Sequence, residues 1–540
     1  MQFDWGNPYP STAKPFFARN AVATSHPLAA QAGLQMLLAG GNAVDAALAT
    51  AAMLTVVEPV SCGFGGDAYA IVWDGHTLHG LNATGVAPRA WSLDFFRARH
   101  GTDATGLAQQ PMRGWDSVTV PGVVSAWAEM HRRFGTLPLA DILEPAAVIA
   151  ERGHLIAPAV ARKWTELAPV LEQQPGFAQT FMPHGRAPHM GEKFHSPGHA
   201  YTLRLLGREG AAAFYEGELA ERMVAFARET GGALDLTDLR EHRAEWVDTI
   251  SRDYRGYTVH ELPPNGQGIA ALIALGILER FDLRAWPVDS AQSQHLQIEA
   301  MKLAFSDVYE LVGDPRCMTV SPAEMLDDAY LDARAALIDP HRAGSPAPGL
   351  PKPGGTTQIS TADERGMMVS LIQSNYRGFG SGVVVPATGI SFQNRGAGFS
   401  MDPKSVNVVR AGKRPFHTIM PGFLMRDGNP VMSFGVVGAE VQPQAHVQTL
   451  VRMLDYGQQP QAACDAPRWK LNRDFTLDVE SAVNPGVLRD LQEMGHTLKP
   501  HGDQHVDFGS GQFISRLSDN PDHGYVVATD GRRDGRAVGY

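Results

Sequence analysis

Apolar residues near the start of the chain recur at helical spacing and indicate two successive helices. In the segment that begins at Leu28, the residues predicted to share one helical face are Ala30, Leu34, Leu37 and Leu38. The Gly40–Gly41 pair is expected to end this helix, because glycine tolerates a left-handed backbone. Asn42 can cap a second helix over Ala43–Val57, which is apolar nearly all round apart from one aspartate. Such a helix is expected to be buried.

The next segment has patterns that are typical of strands. Gly63–Gly66 predicts a bend at which the backbone passes close to another group. Two strands are predicted at Ala68–Trp73 and Thr77–Leu81, joined by a turn at Asp74–Gly75. Residues 120–340 are predicted to be mainly helical with loops. One of these helical faces would contain Leu296, Ala300, Leu303 and Ala304. Helices that alternate with strands in this way favour a layered α/β fold.

The pattern breaks at residues 343–355, where proline and glycine dominate. These residues are Gly344, Pro346, Pro348, Gly349, Pro351, Pro353, Gly354 and Gly355. Such a composition predicts an exposed, extended loop rather than a regular element. Two paired strands are predicted directly after it, at Thr356–Ser360 and Met367–Ser374, around a turn at Asp363–Gly366.

Composition and charge narrow the class of protein. The chain has 540 residues, enough for several layers, and its 44% hydrophobic and 19% charged content is ordinary for a globular protein. The net charge is −11 without a basic cluster, so nucleic acid is not an expected partner. No apolar run is long enough to predict a membrane span, and no signal peptide is visible. Three cysteines far apart suggest no disulfide framework, and we therefore predict a cytoplasmic protein.

A threonine that directly follows a Gly-Gly loop can carry a specific chemistry. If the bond between Gly355 and Thr356 is cut, the new α-amine has an ordinary pKa of about 7.7–8.0 and can act as the base for the hydroxyl on the same residue. The cut would be made by an N→O acyl shift, in which the hydroxyl attacks the Gly355 carbonyl. The alternative interpretation is a plain loop that enters a strand, and spacing alone does not separate the two.

Ordered motifs along nearly the whole chain resemble those of the γ-glutamyltransferase (γ-glutamyltranspeptidase) family of N-terminal-nucleophile hydrolases. The matching segments are Ala39–Ala47, Val57–Pro59, Gly63–Gly66, Val120–Gly122, Phe134–Pro138, Tyr254–Tyr257, Lys413–Pro415 and Ala466–Arg468. The resemblance implies a four-layer αββα sandwich of the α/β class, with a largely helical large-subunit portion. It also implies a precursor that cuts itself into a large subunit, 1–355, and a small subunit, 356–540.

The resemblance assigns roles to four positions. Thr356 corresponds to the family's nucleophile, and Ser374 falls where a hydroxyl supports it by hydrogen bonding. Gly438 and Ala439 match a glycine pair whose backbone N–H groups form the oxyanion hole. The second glycine is an alanine here, which keeps the N–H donor and adds a methyl group.

The likeness fails where family members hold a glutamate substrate. The replacements are Thr84 for the carboxylate-binding arginine, Gly398 for the acid that binds the α-amino group, His417–Thr418 for paired serines, and Tyr376 for an asparagine. Gln358 also replaces a histidine of the usual Thr-Thr-His motif. Losing one buried charged partner typically costs about 2–5 kcal/mol, and two are missing. Arg395, with His417, would suit a small anionic substrate instead.

We therefore predict a self-processing threonine amidohydrolase that acts on a small, anionic, oxamate-like amide and uses no cofactor. One alternative is a true γ-glutamyltransferase or glutathione hydrolase with other glutamate contacts. Another is an uncleaved scaffold or binding protein. The two subunits of one precursor would be each other's partners, and these units could pair into dimers. The histidines near residues 501–507 are spaced like metal ligands, but a turn is the preferred interpretation and no metal is predicted.

Overall fold

Two large antiparallel sheets form the middle of the protein in the computed structural model, which describes residues 8–10, 13–345, 355–501 and 508–540. The strands are β1 Phe16–Ala18, β2 Ala21–Thr24, β3 Asp67–Trp73, β4 Leu78–Ala83, β5 His154–Leu155, β6 Lys193–Phe194, β7 Glu245–Val247, β8 Ile250–Tyr254, β9 Tyr257–Glu261, β10 Gly355–Ala362, β11 Met368–Tyr376, β12 Val384–Val385, β13 Ile390–Ser391, β14 Gly422–Arg426, β15 Asn429–Val437, β16 Trp469–Leu471, β17 Leu477–Glu480, β18 Leu498–His501, β19 Ser510–Arg516, β20 Tyr525–Thr529 and β21 Arg536–Gly539.

The helices cover the outer faces of these sheets. They are α1 Pro27–Leu38, α2 Ala43–Val57, α3 Leu93–His100, α4 Val123–Phe134, α5 Leu139–Arg152, α6 Pro158–Leu171, α7 Phe177–Phe181, α8 Pro197–Glu209, α9 Ala212–Tyr215, α10 Glu218–Thr230, α11 Leu236–Glu241, α12 Gly268–Leu278, α13 Ala291–Leu311, α14 Pro322–Met325, α15 Asp328–Ala335, α16 Val441–Leu454, α17 Pro460–Asp465 and α18 Pro485–Glu493.

The strand order defines two seven-stranded sheets. Sheet 1 runs β21-β2-β10-β11-β3-β4-β7, and sheet 2 runs β1-β20-β19-β15-β14-β9-β8. The helices α1, α2 and α4 pack on the outer face of sheet 1, and α12, α16 and α17 pack on the outer face of sheet 2. The helices α5 and α13 pack in turn on α2 and α12. The predicted four-layer αββα sandwich of the α/β class is therefore confirmed.

Side-chain size alternates along β3 and fits its position between two layers. Ala68, Ala70 and Val72 belong to the core that sheet 1 shares with its helices. The larger Tyr69 and Ile71 point to the opposite side and pack between the two sheets. Because successive residues of a strand face opposite sides, one strand can supply both cores.

The predictions from local pattern agree closely with the observed N-terminal elements. The Ala43–Val57 helix has the predicted bounds, and Asn42 caps it in a reciprocal capping box with Asp45. The Asp45 carboxylate also accepts a hydrogen bond from the Thr136 backbone N–H at 3.0 Å, so this buried acid is satisfied. The middle of the chain, residues 120–340, is mainly helical as predicted, and residues 245–261 add the strands β7, β8 and β9.

Strands from both sides of the proposed cleavage site share each sheet. In sheet 1, β10 lies between β2 and β11, and β11 in turn pairs with β3. Most of the Pro/Gly-rich loop, residues 346–354, lies outside the described residues. The division into subunits 1–355 and 356–540 stays a prediction, but the two segments could separate only if both sheets were pulled apart. None of the described helices has the length and apolar character to span a membrane.

Replacing Ile372 by alanine should destabilise the protein strongly. Ile372 is fully buried between the two sheets on β11, so the change removes apolar contacts and leaves a cavity, for an expected loss of about 2–5 kcal/mol. Scanning calorimetry should show a clear fall in Tm. The matched control is Leu38→Ala, at a side chain 64% exposed, which should change the free energy of unfolding by less than about 0.5 kcal/mol. Equal effects of the two variants would contradict this description of the core.

Candidate active site

Thr356 lies near the start of β10, where the ladder with β11 is irregular. Gly355 pairs with Tyr376 and Thr357 with Gln373, so the register shifts at Thr356 itself. Such a bulge redirects a side chain from the regular pleat. The Thr356 residue is 1% exposed and its Oγ1 lies 3.4 Å from the Oγ of Ser374. The predicted neighbours are thus brought together by the pairing of two strands.

Two further side chains contact Thr356. The Gln442 Nε2 donates to the Thr356 Oγ1 at 3.4 Å, and Gln442 is itself held by the Met420 N–H, which donates to its Oε1. Arg533 donates through Nη1 to the backbone carbonyl of Thr356 at 2.8 Å. Both contacts of the Thr356 hydroxyl, to Ser374 and to Gln442, are long at 3.4 Å. A hydroxyl held in this way can serve as a nucleophile if a base is present.

Arg395 is a fully buried cation beside these hydroxyls. Its Nη1 donates to the Thr418 Oγ1 at 2.8 Å and its Nη2 to the Ser374 Oγ at 3.4 Å. The guanidinium also lies over the Tyr376 ring, 4.1 Å from its centroid. Burial lowers the pKa of Arg395 to about 10, which still leaves it charged at neutral pH. The predicted residues Arg395, Thr418, Tyr376 and Ser374 therefore form one cluster.

No carboxylate forms an ion pair with Arg395 within the described ranges, and its Nε has no hydrogen-bond partner there. A buried charge without a counter-ion is expensive, and a bound anion can supply the missing charge.

Asp67 and His417 form a buried pair next to Arg395. The His417 Nε2 lies 3.0 Å from the Asp67 Oδ2, and the His417 Nδ1 accepts the Ile419 N–H. With its Nδ1 accepting, His417 must carry its proton on Nε2. Burial, with a contribution from Arg395, holds the pKa of His417 well below its usual value. His417 is therefore neutral, and Arg395 alone supplies the positive charge expected from the sequence.

Burial also raises the pKa of Asp67 to about 7, an effect that Arg395 and the Gly85 N–H partly oppose. Its Oδ1 accepts the Gly85 N–H at 3.2 Å. Both oxygens of this acid are therefore engaged by the protein.

Gly438 and Ala439 form a turn between β15 and α16 with positive φ angles of 123° and 54°. This backbone is strained for alanine but not for glycine. Among the described residues, neither N–H donates a hydrogen bond. Two adjacent free N–H groups at the start of a helix can stabilise a developing negative charge. Their predicted part in an oxyanion hole stays a prediction.

Thr84 lies behind this cluster. Its Oγ1 donates to the Asn82 Oδ1 at 2.8 Å, within a network around Asn265. Asn265 accepts from the Tyr69 hydroxyl, and the Tyr69 ring packs against His417 at 5.5 Å. Where the chain is described, Thr84 makes no hydrogen bond to Thr356 or Arg395. Contact between Thr84 and a substrate therefore stays a prediction.

The Gln358 side chain packs against Gly435, where a larger residue would leave no space for it. A Cβ atom added at Gly435 would lie 2.4 Å from the Gln358 side chain, which therefore occupies the space that glycine leaves. The Gln358 Nε2 donates to the Ser370 Oγ at 3.0 Å. The departure from the family's histidine is thus accommodated in the core between sheets.

Sequence reasoning missed several residues of the site. Asp67, Gln442, Glu58 and Arg533 reach Thr356 or its neighbours from four separate segments, and only Glu58 belongs to a motif that the sequence singled out. Glu440 was also missed, although it follows Ala439 directly and burial raises its pKa to about 7.

A separate buried cluster has the composition of a metal site. His295, Glu299 and His496 bring their ligand atoms within 4.8 Å of one another. The Lys302 ammonium already contacts the Glu299 carboxylate at 2.7 Å, and the two histidines hydrogen-bond each other at 2.8 Å. Each member of the cluster therefore has a protein partner, although the Nδ1 of His496 has no hydrogen-bond partner among the described residues. The candidate spacing at 501–507 cannot be compared, because His501 is described only in its backbone and residues 502–507 lie outside the described residues.

Comparison with known proteins identifies the family. The sequence model described as gamma-glutamyltranspeptidase matches residues 29–540. The chain belongs to the γ-glutamyltranspeptidase family. Within this family, the glutathione hydrolase-like YwrD proenzyme of Bacillus subtilis (strain 168) is 36% identical over 96% of this chain and 98% of its own length. The oxamate amidohydrolase proenzyme of Klebsiella pneumoniae subsp. pneumoniae is 35% identical over the same shares.

A solved structure of the γ-glutamyltranspeptidase type agrees with the fold. The crystal structure of cephalosporin acylase from Bacillus halodurans matches with a TM-score of 0.93 and 44% identity, over 100% of this chain and 99% of that one. These γ-glutamyltranspeptidase relatives are enzymes, named as hydrolases, an amidohydrolase and an acylase. This chain is therefore an N-terminal-nucleophile hydrolase of the amidohydrolase and acylase group, and the scaffold alternative loses its support.

The raised pKa of Asp67 gives a prediction for stability against pH. Asp67 binds its proton more tightly in the folded chain, with a pKa of about 7, than in the unfolded chain, with an ordinary value of about 3.9. Its contribution is fully present below pH 4 and is lost as pH rises through about 7. Asp67→Asn has no such proton to lose. The Tm of the variant minus that of the wild type should therefore rise between pH 5 and pH 8, as measured by scanning calorimetry. Asp519→Asn, at an exposed position, is the control. If the Tm difference from the wild type does not change with pH in either variant, the prediction is contradicted.

Proposed function

We propose that this protein cuts itself between Gly355 and Thr356 and then hydrolyses a small anionic amide through an ester on Thr356. The observation that carries the proposal is Arg395, a fully buried guanidinium without a carboxylate partner in the described residues, one hydroxyl away from Thr356. A substrate carboxylate would supply the missing negative charge in a paired, bidentate geometry. The relative named as an oxamate amidohydrolase proenzyme supports this substrate class.

The proposed cleavage uses groups that are already adjacent. The Thr356 hydroxyl attacks the carbonyl carbon of Gly355, the C–N bond breaks, and the nitrogen takes the hydroxyl proton as the ester forms. Water then hydrolyses this ester, which leaves a carboxylate on Gly355 and a free amine and hydroxyl on Thr356. Relatives named as proenzymes support a precursor of this kind.

The proposed hydrolysis repeats the same steps on a substrate. The free α-amine takes the proton from the Thr356 hydroxyl, whose oxygen attacks the amide carbon. The N–H groups of Gly438 and Ala439 stabilise the oxyanion, and the departing amine leaves with the proton. Water then hydrolyses the acyl ester and regenerates the hydroxyl. In this scheme Ser374 and Gln442 hold the hydroxyl in place.

A zwitterionic glutamate fits the site less well than an anion. It would need a carboxylate for its ammonium group, and both nearby acids are engaged. The two Asp67 oxygens accept from Gly85 and pair with His417. Glu440 lies 3.5 Å from the Arg473 guanidinium. This contrast favours an oxamate-like substrate over the alternative of a true γ-glutamyltransferase or glutathione hydrolase.

Replacing Thr356 by alanine should leave the chain uncut. Wild-type protein should appear on a denaturing gel as two fragments, residues 1–355 and 356–540, because the hydroxyl that attacks Gly355 is present. The Thr356→Ala chain should stay at full length, while Thr357→Ala, one residue further along β10, should still be cut. N-terminal sequencing of the small fragment checks the position. A wild-type protein that stays whole, or a fragment that begins elsewhere, would overturn the proposed cleavage.

Replacing Arg395 by methionine should selectively impair anionic substrates. Removing one partner of a buried charged contact costs about 2–5 kcal/mol, so kcat/KM for oxamate should fall by a factor of about 30 to 5,000. The neutral oxamide should lose much less, and self-cleavage should continue. Arg410→Met, at an exposed arginine, is the control. If the wild type cleaves γ-glutamyl-p-nitroanilide faster than oxamate, the glutathione hydrolase alternative replaces this proposal.

A further inference from the structure

The carbonyl group of Thr356 lies near the start of β10, where β2 does not pair with this strand. The pairing of β10 with β2 runs only from Ile359 with Thr24 to Ala362 with Ala21. Beyond Thr24 the chain turns away towards α1. Within the described residues, side chains donate to the carbonyl groups of Gln358 and Thr356, which lie two residues apart.

Two side chains take the place of the missing strand. The Thr24 Oγ1 donates to the Gln358 carbonyl at 3.0 Å, and the Arg533 Nη1 donates to the Thr356 carbonyl at 2.8 Å. A buried carbonyl left without a donor would cost about 1–3 kcal/mol. A neutral donor such as the threonine hydroxyl satisfies this need at Gln358. At Thr356 the donor is a full positive charge, and hydrogen bonding alone does not require one.

A buried glutamate holds this positive charge in position. The Glu58 Oε1 lies 2.8 Å from the Arg533 Nη1, and the same nitrogen contacts the Thr356 carbonyl. The Ser25 and Ser61 hydroxyls donate to Glu58 at 2.5 and 2.9 Å. Glu58 and Arg533 are 4% and 8% exposed. Arg533 is thus clamped between an acid and the backbone of the residue that we propose as the nucleophile.

The surroundings exclude most water from the pair. A cavity of only about 10 Å³ lies beside it, lined by groups that include Ser25, Lys163 and Asp534. A space of this size holds one water molecule at most. Charges act over short distances much more strongly in such a place than in bulk water.

We propose that Arg533 and Glu58 are positioning residues that set the pKa of the Thr356 α-amine in the processed enzyme. This inference rests on the proposed cleavage, which creates that amine. The amine and the carbonyl of one residue are bonded to the same Cα, so a cation on the carbonyl lies close to the amine. Arg533 opposes the charged ammonium form and favours the neutral form, which is the form that can accept the hydroxyl proton. Glu58 lies behind Arg533 and moderates its effect.

Other charged or titratable groups face Thr356 from the opposite side and are the same in every variant of the test. They are Arg395, which reaches it through Ser374, and the Asp67–His417 pair beyond. Lys163 and Asp534 line the cavity on the Arg533 side. Changes confined to Glu58 and Arg533 therefore isolate the contribution of this pair.

Titration of the α-amine tests the proposal without any substrate. Processed protein is labelled with [13C]threonine, and the Thr356 signal is assigned by its loss in Thr356→Ser. Its chemical shift is then followed against pH by NMR. Arg533→Met should raise the pKa of the amine by about one unit, because Glu58 is left unbalanced. Glu58→Gln should lower it, and the double variant should return close to the wild type. Arg533→Lys, which keeps the charge, should stay near the wild-type value.

The outcomes separate this proposal from the proposed cleavage. Mass spectrometry first shows whether the small fragment begins at Thr356, and an uncut wild type would overturn both. If cleavage occurs but neither single variant moves the pKa, or both move it in the same direction, Arg533 only supports the backbone and the inference is wrong. Should Arg533→Met fail to fold, Glu58→Gln, which keeps the contact with the carbonyl, decides the question by the sign of its shift. Arg536→Met, nearby on β21, is the matched control and should leave the titration unchanged.

Discussion

The pairing of β10 with β11 is the constraint on which the candidate site depends. Gly355 begins a strand that lies in the middle of sheet 1, so the residue after it is buried from the outset. The shifted register at Thr356 turns its hydroxyl towards Ser374 on the neighbouring strand. Most of the ladder begins after this point, and it holds β10 in place by bonds that a cut before Thr356 would not touch. A free N-terminus can therefore exist inside the protein without loss of the sheet.

The charges around this strand follow from burial. Of the groups nearest Thr356, Arg395 remains a cation, whereas burial raises the pKa of Asp67 and lowers that of His417. The histidine is therefore neutral, and the acid carries a full negative charge only above about pH 7. The result is a small site with a net positive charge on one side of the hydroxyl. On the other side the Arg533 charge is matched by Glu58. The Thr356 hydroxyl thus lies between two cations. Arg395 has no carboxylate partner among the described residues, whereas Arg533 pairs with Glu58.

The sequence predicted what depends on local pattern. The helix at Ala43–Val57 and the hairpin of β3 and β4 follow from spacing, capping and turn residues within short segments. The contact between Thr356 and Ser374 was predicted from resemblance to a family, and it forms because two successive strands pair. The four layers and the oxyanion turn came from resemblance to a family. The confirmed predictions share short separation in sequence or a recognisable motif, whereas the oxyanion role of the turn stays a prediction.

The remainder of the site could not be predicted, because it is assembled from single polar residues far apart. Gln442 is an ordinary glutamine on a helix, and Arg533 is one of several arginines near the C-terminus. Nothing in their own segments distinguishes them, since each acquires its role from a partner that lies 86 or 177 residues away. Asp67 lies between the Gly63–Gly66 motif and the strand predicted at Ala68–Trp73, and belongs to neither. It became part of the site only because His417 lies against it from a segment 350 residues further along.

Separate parts of the fold position the Thr356 hydroxyl and the Arg395 guanidinium. Thr356 and Ser374 belong to paired strands of sheet 1, so their geometry is tied to the whole sandwich. Arg395 belongs to a short turn after β13, and Thr418 to the segment before β14. A turn can change residues with little effect on a sheet. This division is consistent with the prediction that the chain keeps the hydroxyl environment of the γ-glutamyltranspeptidase family while the positions predicted to bind glutamate differ. Because Arg395 also contacts Ser374, the two parts meet at one hydroxyl, and a bound carboxylate would lie directly beside the nucleophile that we propose.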